Sequence, residues 1–354
     1  MNTPVIITAV ATWVPDTIPL SRWRAIESTL RASGHPGWDA WMRSWQPEYE
    51  HWLEAWPGEE SGESLLVHSD LPPPDMTCAV PVETGTDLSG LAAGVANVIC
   101  ATRPRSASPV DVVMFCHSSP DEHVSTTIAG RLCAEVGTQC FPFSLSQQHG
   151  VSPFTALRLA SDLFVAEPDA HTILVVAAEK WCPPFSRICG PGIVHGDAAG
   201  ALLVERTDHR TSGLQLLDAA ARHVPVNICG RASASLDART FALLSMIESL
   251  LARHGLRHGE IDEVVGHPGI PSLTDAVCDL LGRPDTGVQH EHCVHLGAAE
   301  SIVRLAHTLT RAACCGTNRV LLWGHGMGGF VGTALLEARG SLNIYQHDDI
   351  RSIS

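Results

Sequence analysis

Three histidines lie in polar turns that each follow a predicted strand. His149 lies in SQQHG, His267 begins HPGIP, and His295 lies in HCVHLG. A neutral imidazole accepts a proton at one ring nitrogen and donates a hydrogen bond from the other, so histidines suit proton transfer and the stabilisation of developing negative charge. Glu300 lies near the start of a predicted helix, and the glycine-rich stretch GHGMGG at 324–329 lies in a comparable turn. These residues form one site only if the fold brings the turns together.

The predicted elements repeat in order along the chain. The first half predicts helix 83–100, strand 110–116, helix 124–136, strand 141–145, helix 153–166, strand 172–178 and a hairpin ending GDAAGALLVE. The second half predicts helix 238–254, strand 261–265, helix 271–281, a strand near 287–290, helix 298–313, strand 319–323 and a hairpin ending GFVGTALLE. VDVV at 110–113 resembles IDEVV at 261–265, and GALLVE at 200–205 resembles GTALLE at 332–337. We infer an internal duplication with a mixed sheet covered by helices.

Duplication predicts where the turns lie. Turns after equivalent strands should meet at the carboxyl edges of the two sheets, where ligands bind in open α/β folds. We therefore expect His149, His267 and His295 to share one cavity. Clustered imidazoles disfavour one another's protonation, which lowers their pKa values and keeps the rings neutral near pH 7.

A helical insertion is expected at about residues 20–75. Six of the nine tryptophans lie between residues 20 and 60, and those from Trp38 to Trp56 recur at helical spacings of three, four and seven. Pro47 divides this pattern into two helices. The aromatic face is either a cap packed on the core or the wall of a substrate entrance.

Composition excludes some partners and compartments. The chain of 354 residues has a formal charge of −15, which repels nucleic acid and anionic membranes. No run approaches the roughly 18–20 apolar residues of a membrane span, and the amino terminus lacks a basic n-region. Many of the twelve cysteines lie in or beside apolar runs and none forms a C-x-x-C pair, which indicates thiols in a reducing compartment. We expect a cytoplasmic protein.

Seven segments in order resemble the ketoacyl-synthase III branch of the thiolase superfamily. They are ETGTDL, VDVVMFCHSSPDE, CFPFSLSQQHG, HGDAAGALLVE, DEVVGHPGIPSL, HLGAAES and GHGMGGFVGTALL. The resemblance covers about residues 80–338 and the first strand, but not the tryptophan-rich region. It implies an α/β thiolase fold, in which duplicated βαβαβαββ halves form an αβαβα sandwich. The expected halves are residues 1–210, including the helical insertion, and residues 211–354.

The resemblance also implies site residues. In the family a cysteine at the amino end of a buried helix attacks an acyl thioester, while a histidine and an asparagine stabilise the oxyanion or carbanion. An alignment through SQQHG places His149 at the cysteine position, and an alignment counted back from Phe154 places Val151 there. The family histidine falls on His267 and the asparagine on His295. His149 is otherwise a polar turn residue without a catalytic role.

Two further features follow from the same resemblance. Acyltransferase relatives that form esters or amides carry an HLGA-type segment often ending in aspartate, which is Glu300 here. Glu300 is either a catalytic residue or a helix amino-terminal carboxylate that interacts favourably with the helix dipole. The glycine turn matches an oxyanion-hole loop, so the N–H groups of Gly326 and Gly328 are expected donors. For His325 in this turn, structural and functional roles stay open.

These features predict an acyltransferase of specialised metabolism without a cysteine nucleophile. The donor would be acyl-CoA or acyl-phosphopantetheine on a carrier protein, and the acceptor a small amine, hydroxyl or thiol. His149 would act as general base, and no permanently bound cofactor is expected. The alternatives are a carbon–carbon condensing enzyme and a catalytically silent subunit of a heterodimer. The resemblance implies a homodimer paired through the central sheet of the first half.

A metal site is the remaining alternative. His290, His292, Cys293 and His295 lie close together in residue types that zinc favours. A second ligand pair at finger-like spacing is missing from the segment. We therefore predict no metal.

Overall fold

The computed structural model describes most of the chain outside the tryptophan-rich region. The described residues are 5–23, 25–26, 76–121, 127–136, 140–182, 187–188, 193–206, 212–224, 232–267, 270–283, 294–312, 319–326, 329–347 and 350. The aromatic face from Trp38 to Trp56 and the strand expected near 287–290 lie outside them.

The strands and helices alternate along the chain. The strands are β1 (Val5–Trp13), β2 (Thr17–Pro19), β3 (Ala79–Pro81), β4 (Val112–Cys116), β5 (Phe141–Leu145), β6 (Thr172–Glu179), β7 (Val194–His195), β8 (Ala198–Arg206), β9 (Gly213–His223), β10 (Glu263–Val265), β11 (Val294–His295), β12 (Arg319–His325), β13 (Phe330–Arg339) and β14 (Asn343–Tyr345). The α-helices are α1 (Leu88–Thr102), α2 (Ile128–Val136), α3 (Ser152–Ala166), α4 (Ala232–Arg253), α5 (Pro271–Leu281) and α6 (Glu300–Ala312). Single 3-10 turns span His149–Val151, His258–Glu260 and Gly297–Ala299.

The large sheet contains the same strand order twice. One part runs β5-β4-β6-β8-β1 and the other runs β10-β12-β13-β9, joined where β1 pairs with β9. In each part the outer pairing is parallel, as β4 with β6 and β10 with β12, and the inner pairings are antiparallel. The expected duplicated α/β fold is confirmed.

Alternating side chains of the strands build two faces on each half-sheet. In β4, Val112 and Met114 face a central core, whereas Val113 and Phe115 face a core built with α1 and α2. In the second half, Leu321 and other strand residues face α4 and α5 instead. Helix α3 packs against β6 and β13, and α6 packs against β8 and β12, so these two helices lie between the half-sheets. The layers are therefore αβαβα.

Some predicted boundaries differ from the structure, and one strand was missed; the helix expected at 238–254, for example, begins at Ala232. The helix expected at 83–100 begins at Leu88, because the side chain of Asp87 accepts the N–H of Gly90 as an N-cap and Glu83 accepts the N–H groups of a preceding turn. Strand β9 was missed. Its register against β13 shifts at Leu217, which breaks the period-two alternation that would have indicated a strand.

The cysteines are not all thiols. Cys133 in α2 and Cys140 before β5 form a disulfide with their Cα atoms 6.0 Å apart. The expectation of thiols throughout is wrong for this pair, because α2 packs beside β5 and brings the two side chains together. In the described part of the chain, no helix combines the length and apolar character needed to cross a bilayer.

Candidate active site

Five histidine rings cluster where the two halves meet. The first half contributes His149, in the turn before α3, and His195, at the end of β7. The second half contributes His267 after β10, His295 at the end of β11 and His325 at the end of β12. Strands β7 and β11 pair in parallel with His195 opposite His295, so the contact between halves lies within the cluster itself.

The ring centroids of neighbouring histidines lie 5.3 to 6.4 Å apart. His267, His295 and His325 lie 5.3, 5.7 and 5.5 Å apart in pairs, with near-perpendicular planes. His195 lies 6.0 Å from His295, and His149 lies stacked 6.4 Å from His195. The three histidines singled out from the sequence thus lie in one cluster.

Two members of the cluster, His195 and His325, were not among the predicted catalytic residues. His195 follows Val194 as His295 follows Val294, and the segments VHGDAA and VHLGAA are alike. This internal match was the available signal for His195. For His325 the sequence predicted a position in the glycine turn, but it did not decide between a structural and a functional role for the side chain.

Burial favours the neutral form of His149, His195, His267 and His295. His195, His267, His295 and His325 are buried, whereas His149 is partly exposed as a residue. Burial lowers the pKa of His149 to about 4, and burial together with His149 and Arg187 lowers the pKa of His195 to about 3. Burial, followed by neighbouring positive charge, also lowers the pKa values of His267 and His295.

The turn that carries His149 has an unusual backbone. Gln147 and His149 have φ values of 67° and 48°, in the left-handed region that few residues other than glycine adopt. The backbone N–H of His149 donates to Oγ of Ser118 at 3.1 Å, which holds the turn. Val151, the other residue aligned with the family cysteine, is buried in the central core. The residue of this turn that faces the cluster is therefore His149.

Two glycines let the halves approach closely at this turn. A Cβ on Gly150 would overlap the ring of His267, and a Cβ on Gly326 would overlap the carbonyl of Gln148. The backbone of the first half therefore lies directly against the second half. Larger residues would separate His149 from the other imidazoles.

The glycine turn after β12 does not present the expected donor. The N–H of Gly326 donates to the carbonyl of Phe330 at 2.7 Å and closes the β12–β13 hairpin. It is therefore directed into the hairpin and not toward a ligand, contrary to the expectation of an oxyanion donor. Gly328 lies outside the described residues.

The loop after β11 defines the tautomer of His295. The N–H of Gly297 donates to Nδ1 of His295 at 2.8 Å, so the neutral ring carries its hydrogen on Nε2. That Nε2 is buried and has no hydrogen-bond partner among the described residues. Glu300 is buried and accepts the N–H of Leu296 at 2.6 Å, which stabilises the same loop.

Glu179 at the end of β6 connects the two halves and was missed. Its Oε2 accepts the N–H groups of Ser118 and Ser119 at 3.1 and 2.6 Å, and its Oε1 accepts the N–H of Ala298 at 3.1 Å. One carboxylate thus holds both the turn that fixes His149 and the loop that fixes His295. Burial raises its pKa, and the bonds from Ser119 oppose that shift. The available signal was a single acidic residue ending the apolar run TILVVAAE.

A buried ion pair supports His195. Arg187 donates to both carboxylate oxygens of Asp197 at 2.7 Å and to the carbonyl of His195 at 3.1 Å. Trp181 stacks on the His195 ring with centroids 4.1 Å apart. These contacts fix the position and orientation of the His195 ring in the cluster.

The thiol of Cys116, at the end of β4, is a poor nucleophile. It is buried in the central core, and burial and the nearby charge of Glu179 raise its pKa. A thiol that stays protonated reacts slowly with thioesters. The ligand set considered for a metal at 290–295 lies outside the described residues except for His295.

The comparisons give relatives in sequence and in structure. No protein-family model matches the chain. Beta-ketoacyl-[acyl-carrier-protein] synthase III 3 of Streptomyces coelicolor is 27% identical over 287 residues, which cover 72% of this chain and 84% of the relative.

Solved structures match nearly the whole length. ChlB3, described as an acyltransferase, superposes with a TM-score of 0.67 and 20% identity over 95% of this chain and 98% of its own. The 3-oxoacyl-(acyl carrier protein) synthase III FabH of Pseudomonas aeruginosa PAO1 gives 0.65 and 18% over 96% and 99%. OleA of Xanthomonas campestris gives 0.66 and 15% over 95% and 99%. These structures share the fold of this chain.

Proposed function

We propose that the chain, which is similar to ketoacyl synthase III and shares the fold of the thiolase superfamily, transfers an acyl group from a CoA or carrier-protein thioester to a small acceptor without a cysteine nucleophile. The observation that carries this proposal is the cluster in which His149, His267 and His295 meet. The relatives named above include synthases and one acyltransferase, which supports a thioester substrate.

His295 supplies a donor for the thioester oxygen. Its Nε2–H is fixed by the bond from Gly297 to Nδ1 and is buried without a hydrogen-bond partner among the described residues. A buried, preoriented N–H stabilises a developing oxyanion because no reorganisation is needed when the charge forms. We assign His267 as its partner on the same oxygen, since the two ring centroids lie 5.3 Å apart. Glu300 acts as a positioning residue, because its described contact is with the loop backbone.

His149 acts as the general base toward the acceptor. It is the partly exposed member of the cluster, so an acceptor entering from solvent meets it first. Its low pKa keeps the ring neutral at pH 7 but also makes it a weak base. An amine suits a weak base better than an alcohol does, since the ammonium formed after attack loses its proton readily. We therefore place amines first among the acceptors.

The test uses intact-protein mass and thiol release with a panel of acyl-CoA and acyl-carrier thioesters. Direct transfer predicts thiol release that requires an acceptor, with no lasting mass gain on the protein. A stable acyl adduct would contradict direct transfer and support a condensing enzyme that stores the acyl group. No release with any thioester or acceptor would support a catalytically silent subunit.

We further propose that the protein is a homodimer paired through β5. Among the described strands β5 pairs only with β4 and so forms an edge of the sheet, and its Phe141 is 69% exposed. An exposed apolar edge strand is a ready surface for pairing. Light scattering should give twice the chain mass of 37.9 kDa. Phe141→Glu should weaken the dimer, and a monomeric wild type would contradict the proposal.

A further inference from the structure

The three imidazoles of the second half point to a metal site. One ring nitrogen from each of His267, His295 and His325 lies within 4.8 Å of the other two, and all three residues are buried. The ring planes are tilted by 86°, 67° and 71° in pairs, so the rings surround a common centre and do not stack. We propose that these three residues bind one divalent transition-metal ion of the zinc class.

The ligand set fits such an ion. Imidazole nitrogens suit zinc and its neighbours in the first transition row, and three histidines with an open fourth position form a common catalytic zinc set. Zn–N bonds of about 2.0–2.1 Å in tetrahedral geometry place ligand nitrogens about 3.3 Å apart. From the arrangement described, small side-chain rotations would bring the three nitrogens to that separation. The site was not predicted, because its three ligands come from separate strand ends and no single segment of the sequence contains them.

The backbone already holds the ligands together. His267 lies two positions after the end of β10, and His325 is the last residue of β12. Strands β10 and β12 are paired neighbours in the sheet. His295 ends β11, whose loop is held by Glu179 and Glu300. Ligands on strand ends are placed more reproducibly than ligands on long loops, which lowers the entropy lost on binding.

Two features oppose the ion. A ring that binds metal through Nε2 needs its hydrogen on Nδ1, so His295 would give up the bond from Gly297. Arg304 also adds positive charge beside His267, which disfavours a cation there. Binding therefore exchanges one hydrogen bond for three metal–nitrogen bonds. At the open position the ion could polarise a carbonyl oxygen, in place of the Nε2–H donor.

The test is metal titration of the full-length protein after chelator treatment and dialysis. We expect one Co²⁺ or Zn²⁺ per chain by calorimetry, and an intense visible Co²⁺ spectrum of tetrahedral type. His325→Gln removes a ligand that has no assigned part in the proposed acyl transfer, and should weaken Co²⁺ binding by at least about 100-fold. His347→Gln, a histidine outside the cluster that stacks on Trp13, is the matched control and should bind as wild type does.

Several outcomes would overturn the site. They are no binding at micromolar Co²⁺, a pale octahedral spectrum of a surface ion, and equal affinity in His325→Gln and wild type. If His325→Gln fails to fold, the wild-type spectrum alone decides. The metal site does not rest on the proposed acyl transfer. Protein that transfers acyl groups and binds no ion would contradict the metal site alone. Protein that binds an ion and has no transfer activity would contradict the proposed function alone.

Discussion

The two 3-10 turns that precede the central helices have the same shape and different residues. His149 opens the turn before α3 with φ of 48°, and Gly297 opens the turn before α6 with φ of 55°. Glycine adopts this left-handed backbone freely, whereas another L-residue pays roughly 1–2 kcal/mol. The second half instead places its imidazole, His295, two residues earlier on strand β11. The duplicated scaffold thus concentrates backbone strain at the one histidine that faces both the cluster and solvent.

The largest expected effect is at His295, in the half whose turn begins with Gly297 and is therefore unstrained. His295→Leu removes the Nε2–H donor, and acyl-transfer kcat should fall about 10²–10³-fold, as when one oxyanion donor is lost. His295→Asn keeps an N–H donor at a shorter reach and should lose less. Steady-state kinetics of both variants measure the loss of kcat. Equal losses in the two would show that His295 contributes shape and not a donor.

Gly297→Ala should destabilise the fold by about 3 kcal/mol. A side chain there must adopt the left-handed backbone, and its Cβ would lie 2.5 Å from Cγ of Glu179. Gly255→Ala is the matched control, because Gly255 has φ of 64° and open space around its Cα, so only the backbone cost of about 1 kcal/mol applies. Denaturant unfolding measures both. Similar losses in the two variants would contradict the close contact between this turn and Glu179.

Acid should destabilise the protein through His149. Above pH 6.5 the ring is neutral in both states; as pH falls from about 6.5 toward 4, the unfolded chain binds a proton that the folded chain does not, so stability falls. The contribution is at most about 3 kcal/mol, which is the free energy that corresponds to a pKa shift from 6.5 to about 4. His149→Asn should make the stability–pH curve less steep between pH 6.5 and 4, and the slope that remains comes from His195, His267 and His295, whose pKa values are also lowered. An unchanged slope would mean that the ring is protonated in the folded protein.

The smallest effect separates strain from catalysis at the same position. His149→Gly and His149→Ala both remove the base and should lower the rate similarly, by about 10²-fold. Only glycine relieves the left-handed backbone, so His149→Gly should be more stable than His149→Ala by about 1 kcal/mol. Thermal unfolding compares them. Equal stability would contradict the strain inferred from the turn.

Much of the fold could be predicted because its buried elements follow simple periods. Strand 141–145 and helix 271–281 have the predicted bounds, and the repeated order of elements pointed to the duplication. Strand β9 was not predicted because a bulge at Leu217 interrupts its alternation of buried and exposed side chains. The start of α1 was predicted wrongly because Glu83 forms a turn before Asp87 caps the helix. The boundary between the halves at 210/211 stays a prediction.

The site was harder to predict because it is built from contacts between distant turns. The sequence pointed to His149, His267 and His295 through their turns. His195 and Glu179 acquire their places only when β7 pairs with β11 and when a carboxylate reaches three backbone N–H groups across the halves. The predicted donor role of Gly326 was wrong for a related reason, since its N–H donates to the carbonyl of Phe330 within the hairpin. Such competition between local partners is not visible in residue types.

The central claim is that imidazoles from both halves act on one thioester carbonyl without an acyl-enzyme. Its most direct test is the initial rate of CoA release measured against rising amine concentration, for wild type and His149→Ala side by side. We predict that release is near background without amine, rises with amine in the wild type, and rises about 10²-fold less steeply in His149→Ala. Release that is fast without any acceptor, or equally steep in both proteins, would contradict the account.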